Sequence, residues 1–380
     1  MRSTFRACAQ YLKCGLALCV LGALVACSGT PQKHTPAALL SNAGLISVKQ
    51  VWTGKVGEVT FPLNAQVSDQ RIAVANAAGV VMVLDAATGA EAWRASVGAS
   101  LAAGVGYDGQ VAAVVTRNNE LVALESGREL WRQQLTAQSY TAPLVAGGRV
   151  FVLGADRSIS AYDGQSGRRL WSQQRPGEAL VLRQPGVLLA VGDTLVIGLS
   201  GKLLGMNPLN GSIRWEAPIA SPRGTNDVER LVDLVGPANR QGNIVCARAF
   251  QAAVGCADAN RGGLLWSKPG AGSVGLTGDE QWVYGVEADS TLVAWRRSDG
   301  ERVWSMEQLR YRDLSAPVVA GQSVVVGDGA GLLHFLSRDK GSPQTRLSTD
   351  GSAIVAAPVW TGNTVVVVTR NGNIFGFRPE

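Results

Sequence analysis

Histidine and cysteine, two residue types that many enzymes use for catalysis, are scarce in this chain of 380 residues. It has two histidines, His34 and His334, and six cysteines, no two of which are adjacent. It also lacks a Gly-x-Ser-x-Gly motif, a phosphate-binding loop and carboxylates at the spacing of a Ca²⁺ loop. A lone histidine in an apolar stretch such as LLHFL is usually a packed or hydrogen-bonded residue. The sequence therefore does not favour an enzyme.

Charged residues are also few, at 17% of the chain, against 46% hydrophobic residues and 46 glycines. This composition is typical of short apolar strands joined by many turns, rather than of disorder or long helices. The net charge of +6 includes Arg2, Arg6 and Lys13, which lie in a segment without acids, so residues 27–380 carry +3. Because this charge is small and scattered, the sequence predicts no nucleic-acid partner.

The N-terminus has the features of a secretory signal peptide. Residues 1–13 carry three positive charges, and LALCVLGALVA at 16–26 is an apolar run too short to span a membrane as a permanent helix. The run leads into Cys27 through Leu-Val-Ala, which resembles the bacterial lipobox, where the cysteine is diacylated and becomes the mature N-terminus. The sequence thus predicts a lipoprotein signal peptide at 1–26 and lipidation at Cys27. The alternative is a plain signal peptide followed by a coincidental cysteine.

The residues after the lipobox indicate a destination and a tether. Ser28, rather than aspartate, follows Cys27, and by resemblance to the sorting rule of enteric-type bacteria this implies the outer membrane. Serine, threonine, proline and alanine are frequent in the next ten residues, so 27–44 is predicted to be the lipidated N-terminus and its tether. Residues 45–380 are predicted to form the folded domain.

Two cysteines remain once the signal peptide is removed and Cys27 is lipidated. Cys246 and Cys256 lie ten residues apart across a predicted hairpin. In an oxidising periplasm they could pair across the strands as a disulfide. The alternative is a pair of buried free thiols.

A phrase of the form Gly-x-x-x-Trp recurs along the chain, as in TGAEAW, SGRELW and SGRRLW. The tryptophans lie about 40 residues apart, and short apolar strands and tight turns precede each of them except Trp52. Thr345 occupies the same frame in place of a tryptophan. The seven tryptophans in register are Trp52, Trp93, Trp131, Trp171, Trp215, Trp266 and Trp304.

The repeat predicts an all-β fold, an eight-bladed β-propeller of four-stranded antiparallel blades. The C-terminal segment AAPVWTGNTVVVVTRNGNIFGFRPE supplies three strands and no tryptophan strand, whereas the segment around Trp52 supplies a tryptophan strand alone. Together they are predicted to form the last blade, so that the N-terminal strand closes the ring. Seven blades are the alternative, because the Thr345 unit is degenerate.

The repeated tryptophan is interpreted as a packing residue. On the outer strand of each blade it would lie against the neighbouring blade and bury a large apolar area. A stacking surface for bases or sugars is the alternative, but equivalent sites spaced around a ring do not converge on one pocket. The repetition is therefore evidence for architecture rather than for chemistry.

The unit DAATGAEAW and the equivalent segments of the other repeats resemble the tryptophan-docking, PQQ-like repeat of quinoproteins. The resemblance covers nearly the whole mature chain. Together with the size, the lipobox and the eight blades, this repeat makes the chain resemble the BamB family of lipoproteins in the outer-membrane β-barrel assembly (BAM) machinery. The resemblance implies a non-enzymatic scaffold without a cofactor. It also implies an outer-membrane lipid anchor and a periplasm-facing domain that binds the POTRA domains of BamA and assists unfolded barrel precursors.

Two segments outside the repeat core resemble the family segments that contact BamA. They are GEALVLRQPG at 177–186 and RGTNDVERLVDL at 223–234. By matching position, the resemblance implies the contact residues Leu180, Leu182, Arg183, Arg230 and Asp233. The family has a second aspartate where this chain has Val235, so the resemblance implies no polar contact at this position. The alternative is that the leucines are ordinary strand residues and Arg230 and Asp233 a solvated loop pair.

A propeller that binds PQQ or a carbohydrate in its central channel is the alternative of a different class. Quinoprotein dehydrogenases share the repeat but are larger and use a bound Ca²⁺ and adjacent cysteines. Cys246 and Cys256 are not adjacent, so this chain departs from that pattern.

Overall fold

The computed structural model describes residues 34–60, 64–177, 180–227 and 229–380. Cys27 and the signal peptide predicted at 1–26 lie outside these residues. Residues Ala37–Glu380 form one compact unit, which holds all of the described strands; of a separate unit, Met1–Pro36, only the last three residues are described. Within the described ranges, no helix has the length and apolarity needed to cross a membrane.

The described strands form eight four-stranded antiparallel blades. The innermost strands, which line a central channel, are β2 (Gln66–Ser68), β6 (Gly106–Tyr107), β10 (Leu144–Ala146), β14 (Leu188–Val191), β18 (Leu234–Gln241), β22 (Leu276–Gly278), β26 (Val318–Ala320) and β30 (Val359–Thr361). The second strands are β3 (Arg71–Ala75), β7 (Val111–Val115), β11 (Arg149–Leu153), β15 (Thr194–Leu199), β19 (Ile244–Ala249), β23 (Trp282–Val286), β27 (Ser323–Gly327) and β31 (Thr364–Val368).

The third strands are β4 (Val80–Asp85), β8 (Glu120–Glu125), β12 (Ser158–Asp163), β16 (Lys202–Met206), β20 (Ala253–Asp258), β24 (Leu292–Arg296), β28 (Leu332–Ser337) and β32 (Asn373–Pro379). The outermost strands are β5 (Glu91–Ser96), β9 (Arg128–Gln134), β13 (Arg169–Gln174), β17 (Ile213–Pro218), β21 (Gly263–Pro269), β25 (Arg302–Met306), β29 (Pro343–Ser348) and β1 (Val48–Lys55). Blade 1 begins with β2 and blade 7 with β26, and blade 8 consists of β30 to β32 and β1.

The position of a strand in its blade follows from its apolar pattern. Second strands such as VAAVV and TVVVV are buried along their whole length, because adjacent blades cover both of their faces. Outermost strands such as EAWRAS alternate between half-buried and exposed residues, since one face is solvated. The core of the ring therefore lies between the blades, in the layers of the second and third strands.

The two ends of the chain close the ring. β1 pairs antiparallel with β32, with Trp52 opposite Gly376. At the end of this pair the Glu380 N–H donates to the Ser47 carbonyl at 2.9 Å, and the Ser47 hydroxyl donates to the Glu380 carboxylate at 2.7 Å. The prediction of eight blades, the last one closed by the N-terminal strand, is confirmed.

Each repeat tryptophan lies on a turn glycine of the following blade. Gly167, with φ +70°, shows why this residue must be glycine, because a Cβ there would lie 2.5 Å from the Trp131 ring. The Trp131 Nε1–H donates to the Gly164 carbonyl of the same turn at 2.9 Å. The pairs are Trp52 with Gly89, Trp93 with Gly127, Trp131 with Gly167, Trp171 with Gly211, Trp215 with Gly262, Trp266 with Gly300 and Trp304 with Gly341.

Thr345 stands at the tryptophan position of blade 7, and the topology explains the exception. The turn that would receive its side chain is the link between the third and outermost strands of blade 8. Those strands, β32 and β1, are the last and the first strand of the chain, so no turn joins them. A tryptophan at 345 would therefore have no turn glycine on which to dock.

Cys246 and Cys256 face each other directly on β19 and β20, with their Cα atoms 4.0 Å apart, and a disulfide joins them. Both are fully buried beside Trp266 and Trp295. The disulfide therefore links β19 and β20, the second and third strands of blade 5.

Residues 37–45, most of which the sequence assigns to the tether, lie along blade 7. The Ala37 N–H donates to the Arg310 carbonyl at 2.9 Å, and the Leu45 N–H donates to the Gln344 carbonyl at 2.8 Å. Between them, the side-chain amide of Asn42 accepts from the Arg346 N–H at 2.9 Å and donates to the Arg346 carbonyl at 3.0 Å. This segment, called the strap below, covers part of the outer edge of β29.

One face of the ring carries the longest connections. In an antiparallel blade, the turns between the second and third strands lie on the same face as the connections from each outermost strand to the next blade. This face is called the connection face below. Its two longest connections are 175–187, between β13 and β14, and 219–233, between β17 and β18.

Candidate partner-binding site

The two segments that the sequence singles out meet on the connection face. The Leu182 N–H donates to the Asp233 carboxylate at 3.0 Å, although the two residues are 51 positions apart. Gly186 forms a β-bridge with Val235, and the Gly236 N–H donates to the Pro185 carbonyl at 2.8 Å. Residues 180–186, called the Leu-Arg loop below, therefore lie alongside the segment that leads into β18.

Arg157, which the sequence analysis did not select, lies beneath this junction. It is in the turn between β11 and β12 and is 4% exposed. Its guanidinium donates to the Leu180 carbonyl at 3.0 Å and to the Ser200 hydroxyl at 2.6 Å, and it lies 3.8 Å from the Asp233 carboxylate. One buried cation thus contacts both candidate segments and a turn of blade 4.

The residues of the Leu-Arg loop differ in their access to solvent. Leu180 is 41% exposed, which is high for a large apolar residue, and Leu182 is half-buried. Arg183 is exposed, and its guanidinium lies over the Tyr140 ring, 5.7 Å from the ring centre. The loop therefore presents an apolar side chain and a cation on one short stretch.

The residues of the second segment are less accessible. The Asp233 side chain is 18% exposed, and its carboxylate is engaged by the Leu182 N–H and by Arg157. Arg230 is half-buried, and its N–H donates to the Asn226 carbonyl at 3.1 Å. Val235 is 2% exposed in β18, so this position is buried in the fold and presents no polar group to a partner.

Two buried ion pairs support the connection face near the site and farther around the ring. Arg248 is fully buried on β19, opposite Val235, and its guanidinium lies 3.2 Å from the Glu287 carboxylate. Burial lowers the pKa of Arg248, whereas the Glu287 carboxylate raises it. In blade 7, Asp328 lies 2.8 Å from Arg312 and 3.1 Å from His334. Such pairs hold their turns in one arrangement, because separating either partner would leave a buried charge.

The central channel has a different chemical character. Its cavity, of about 450 Å³, is lined by the innermost strands and by polar or aromatic residues that include Tyr107, Asn239 and Trp360. The described residues that line it include no acidic or basic side chain, and no group of three metal-ligating residues occurs in the described part of the chain. Because Ca²⁺ requires oxygen ligands that usually include carboxylates, this lining does not fit a PQQ site with bound Ca²⁺.

Comparison with known proteins identifies the family. Residues 77–306 match the family model described as "Outer membrane protein assembly factor BamB". The chain belongs to the BamB family. Proteins of this name from Burkholderia pseudomallei and Bordetella pertussis are each 36% identical to it. The first alignment covers 95% of this chain and 97% of the relative, and the second covers 95% and 96%. The resemblance predicted from the repeat, the lipobox and the two loop segments is confirmed.

Solved structures agree on the fold. The crystal structure of BamB from Moraxella catarrhalis matches with a TM-score of 0.79 at 24% identity, over 87% of this chain and all of that chain. Quinohemoprotein alcohol dehydrogenase from Comamonas testosteroni matches with a TM-score of 0.68 at 14% identity, over 90% of this chain and 78% of that one. At these identities the matches establish the propeller fold alone, so BamB proteins and dehydrogenases must be distinguished by their sites.

Proposed function

We propose that this chain is a non-enzymatic scaffold lipoprotein of the BAM complex and that its connection face binds the POTRA domains of BamA. One observation carries the proposal: the bond from the Leu182 N–H to the Asp233 carboxylate joins the two segments matched to the family's BamA contacts. Two connections that are far apart in the sequence thereby form one surface.

The chemistry of the Leu-Arg loop suits protein recognition. An exposed leucine at 180 and an exposed arginine at 183 give an apolar anchor beside a cation. Arginine and well-packed apolar anchors commonly carry most of the binding energy of an interface. The contact set that we propose is Leu180, Leu182, Arg183 and Arg230, and Asp233 supports this set from below.

The family and the channel lining together support a scaffold rather than an enzyme. The curated relatives carry the name of an assembly factor. The uncharged lining of the described channel residues offers no carboxylate for a Ca²⁺-bound quinone, in contrast to what a PQQ-dependent dehydrogenase requires. By this proposal the propeller acts through its surface and assists unfolded barrel precursors on their way to BamA.

The proposed location is the periplasmic side of the outer membrane. It rests on the lipobox ending at Cys27 and on the names of the relatives, which are outer membrane assembly factors. An acyl anchor at Cys27 would hold the chain on the membrane without a spanning segment. Mass spectrometry of the protein extracted from membranes tests this part, since an unmodified Cys27 would contradict it.

The partner surface is tested with two matched double variants. Leu180→Ala/Arg183→Ala removes the exposed leucine and arginine of the Leu-Arg loop. Leu265→Ala/Arg261→Ala removes an exposed leucine and arginine from blade 5. Titration of each protein with the purified POTRA domains of BamA should give a Kd raised by about tenfold or more for the first variant, because hot-spot residues each cost over ~1 kcal/mol.

The control variant should bind the POTRA domains like the native protein. Equal affinities for all three proteins would contradict the proposed surface. A loss of affinity confined to the blade 5 variant would indicate that the partner binds the outer wall of the ring instead.

A further inference from the structure

We propose that Arg157 is a positioning residue that holds the Leu-Arg loop in its binding conformation, and that Asp233 acts through this clamp instead of touching the partner. The inference rests on the proposed function for the identity of the partner. It changes the role of Asp233, which the family resemblance assigns to the contact itself.

The geometry of Arg157 is that of a buried anchor. The residue is 4% exposed and adopts φ +66°, which large side chains rarely do. This backbone conformation lies in the turn beneath the Leu-Arg loop, where the guanidinium reaches the Leu180 carbonyl. A Cβ at Gly177 would lie 2.5 Å from the Arg157 Nε, so the preceding part of the connection has room for the side chain only because residue 177 is glycine.

The guanidinium suits this task because its donors are fixed in a planar fork. Among the described residues it connects the loop through Leu180, blade 4 through Ser200 and the second segment through Asp233. A lysine would place its three rotatable donors on one nitrogen, without the fixed, spread geometry of the guanidinium. The loop is thereby connected to the turns between the second and third strands of blades 3 and 4.

Asp233 is already engaged within the fold. One carboxylate oxygen accepts the Leu182 N–H at 3.0 Å, and the other lies 3.8 Å from Arg157. Its own carbonyl accepts the Phe250 N–H at 2.9 Å, and its neighbours Val232 and Leu234 are buried. With 18% of its side chain exposed, Asp233 is placed to orient the loop backbone from below.

The consequence is a loop that is arranged before the partner arrives. A surface whose conformation is already set loses less conformational entropy on binding than a loop that must order itself. Loss of the clamp should therefore weaken binding even though Arg157 itself is buried. The exposed leucine and arginine would still be present, but they would not be held in place.

The clamp is tested first in the free protein. Arg157→Asn is the preferred variant, because asparagine tolerates positive φ and the substitution then removes the guanidinium without adding backbone strain. Hydrogen exchange at the Leu182 amide should become at least tenfold faster in Arg157→Asn and in Asp233→Ala. Arg312→Ala, which removes another largely buried arginine of the connection face, is the control and should leave this amide unchanged.

Affinity for the POTRA domains is then measured for Arg157→Asn, Asp233→Ala and the double variant. If both residues act through one clamp, each single variant should raise the Kd about tenfold and the double variant should raise it no further. About a hundredfold increase in the double variant would show that Asp233 contacts the partner independently, and would overturn the inference. An equal loss in Arg312→Ala would overturn it as well, by assigning the effect to general destabilisation.

The exchange experiment separates the inference from the proposed function. Unchanged exchange at Leu182 in both single variants would refute the clamp even if POTRA binding by the native protein were strong. Faster exchange in the two single variants, together with no binding of POTRA domains by the native protein, would instead refute the proposed function, and with it the role of the clamp in binding.

Discussion

Phe335 pairs directly with Thr345 across β28 and β29, whereas every repeat tryptophan faces a smaller residue on its third strand. The facing residues are Gly376, Val83, Ala123, Ala161, Gly205, Cys256 and Ala294. Phe335 is fully buried. In blade 7 the large aromatic residue of this cross-strand pair therefore lies on the third strand, and the outermost strand carries the smaller threonine.

The tryptophan contacts should account for a large share of the stability of the ring. Replacing Trp131 with alanine removes a ring packed on Gly167 and a hydrogen bond to the Gly164 carbonyl. The free energy of unfolding should fall by about 3 to 5 kcal/mol, as for other buried tryptophans. Denaturant unfolding followed by circular dichroism measures it. Thr345→Ala is the control and should cost far less, and equal losses in the two variants would contradict the packing role.

The disulfide should persist through unfolding in the absence of a reductant. Protein extracted from membranes without a reductant, unfolded in denaturant and treated with iodoacetamide, should carry no label on Cys246 or Cys256. After reduction both should be labelled. Replacing both with alanine should lower the free energy of unfolding by about 2 to 4 kcal/mol. Two labelled thiols in unreduced protein would contradict the bond that the structure contains.

The Asp328 carboxylate should make the ring sensitive to acid. Burial alone would raise the pKa of Asp328, but hydrogen bonds, first among them that with His334, outweigh it and hold this pKa below its ordinary value. A carboxyl group whose pKa is lower in the folded than in the unfolded state stabilises the fold fully above about pH 4, and this stabilisation is lost as the pH falls through the folded pKa.

Asp328→Asn should therefore unfold at a lower urea concentration at pH 7. Breaking a buried ion pair costs about 3 to 5 kcal/mol. Below about pH 4 the native protein should lose stability more steeply than the variant, so that the two urea midpoints converge. Parallel curves across this range would show that Asp328 does not contribute to the acid sensitivity.

The strap should open locally when its central hydrogen bonds are removed. Asn42→Ala deletes the two bonds to the Arg346 backbone, which are worth about 0.5 to 1.5 kcal/mol each. Hydrogen exchange at the Arg346 amide should become about tenfold faster, with little change in global unfolding. Asn260→Ala, in an exposed turn of blade 5, should leave that amide unchanged. Unaltered exchange in Asn42→Ala would mean that the strap is held elsewhere.

The architecture could be predicted because its determinants recur in the sequence. The same turn glycine and tryptophan appear in blade after blade, and the unpaired strand around Trp52 matches the strand missing at the C-terminus. Even the degenerate unit follows from the topology once the ends of the chain are known to meet. What the repeat could not reveal was that Phe335 lies opposite Thr345, because that pairing depends on the register of two strands.

The candidate site was only partly predictable. Leu180 and Arg183 could be predicted because their segment resembles a segment of the family outside the repeat core. The role of Arg157 depends on contacts across 23 to 76 positions of the chain, which no local pattern encodes. One signal was available in the turns between second and third strands. The residue with positive φ in these turns is mostly small, and Arg157 departs from this pattern. In chain order these residues are Gly79, Asn119, Arg157, Ser200, Gly201, Gln251, Ser290, Gly331 and Gly372.

The most direct test of the proposed partner surface is photo-crosslinking in intact cells. A benzophenone amino acid is placed at Leu180, on the Leu-Arg loop, or at Leu265, which is similarly exposed on blade 5. Irradiation should give an adduct with BamA from position 180 and none from position 265. An adduct from 265 alone, or no BamA adduct from 180 at full expression of the protein, would contradict the account.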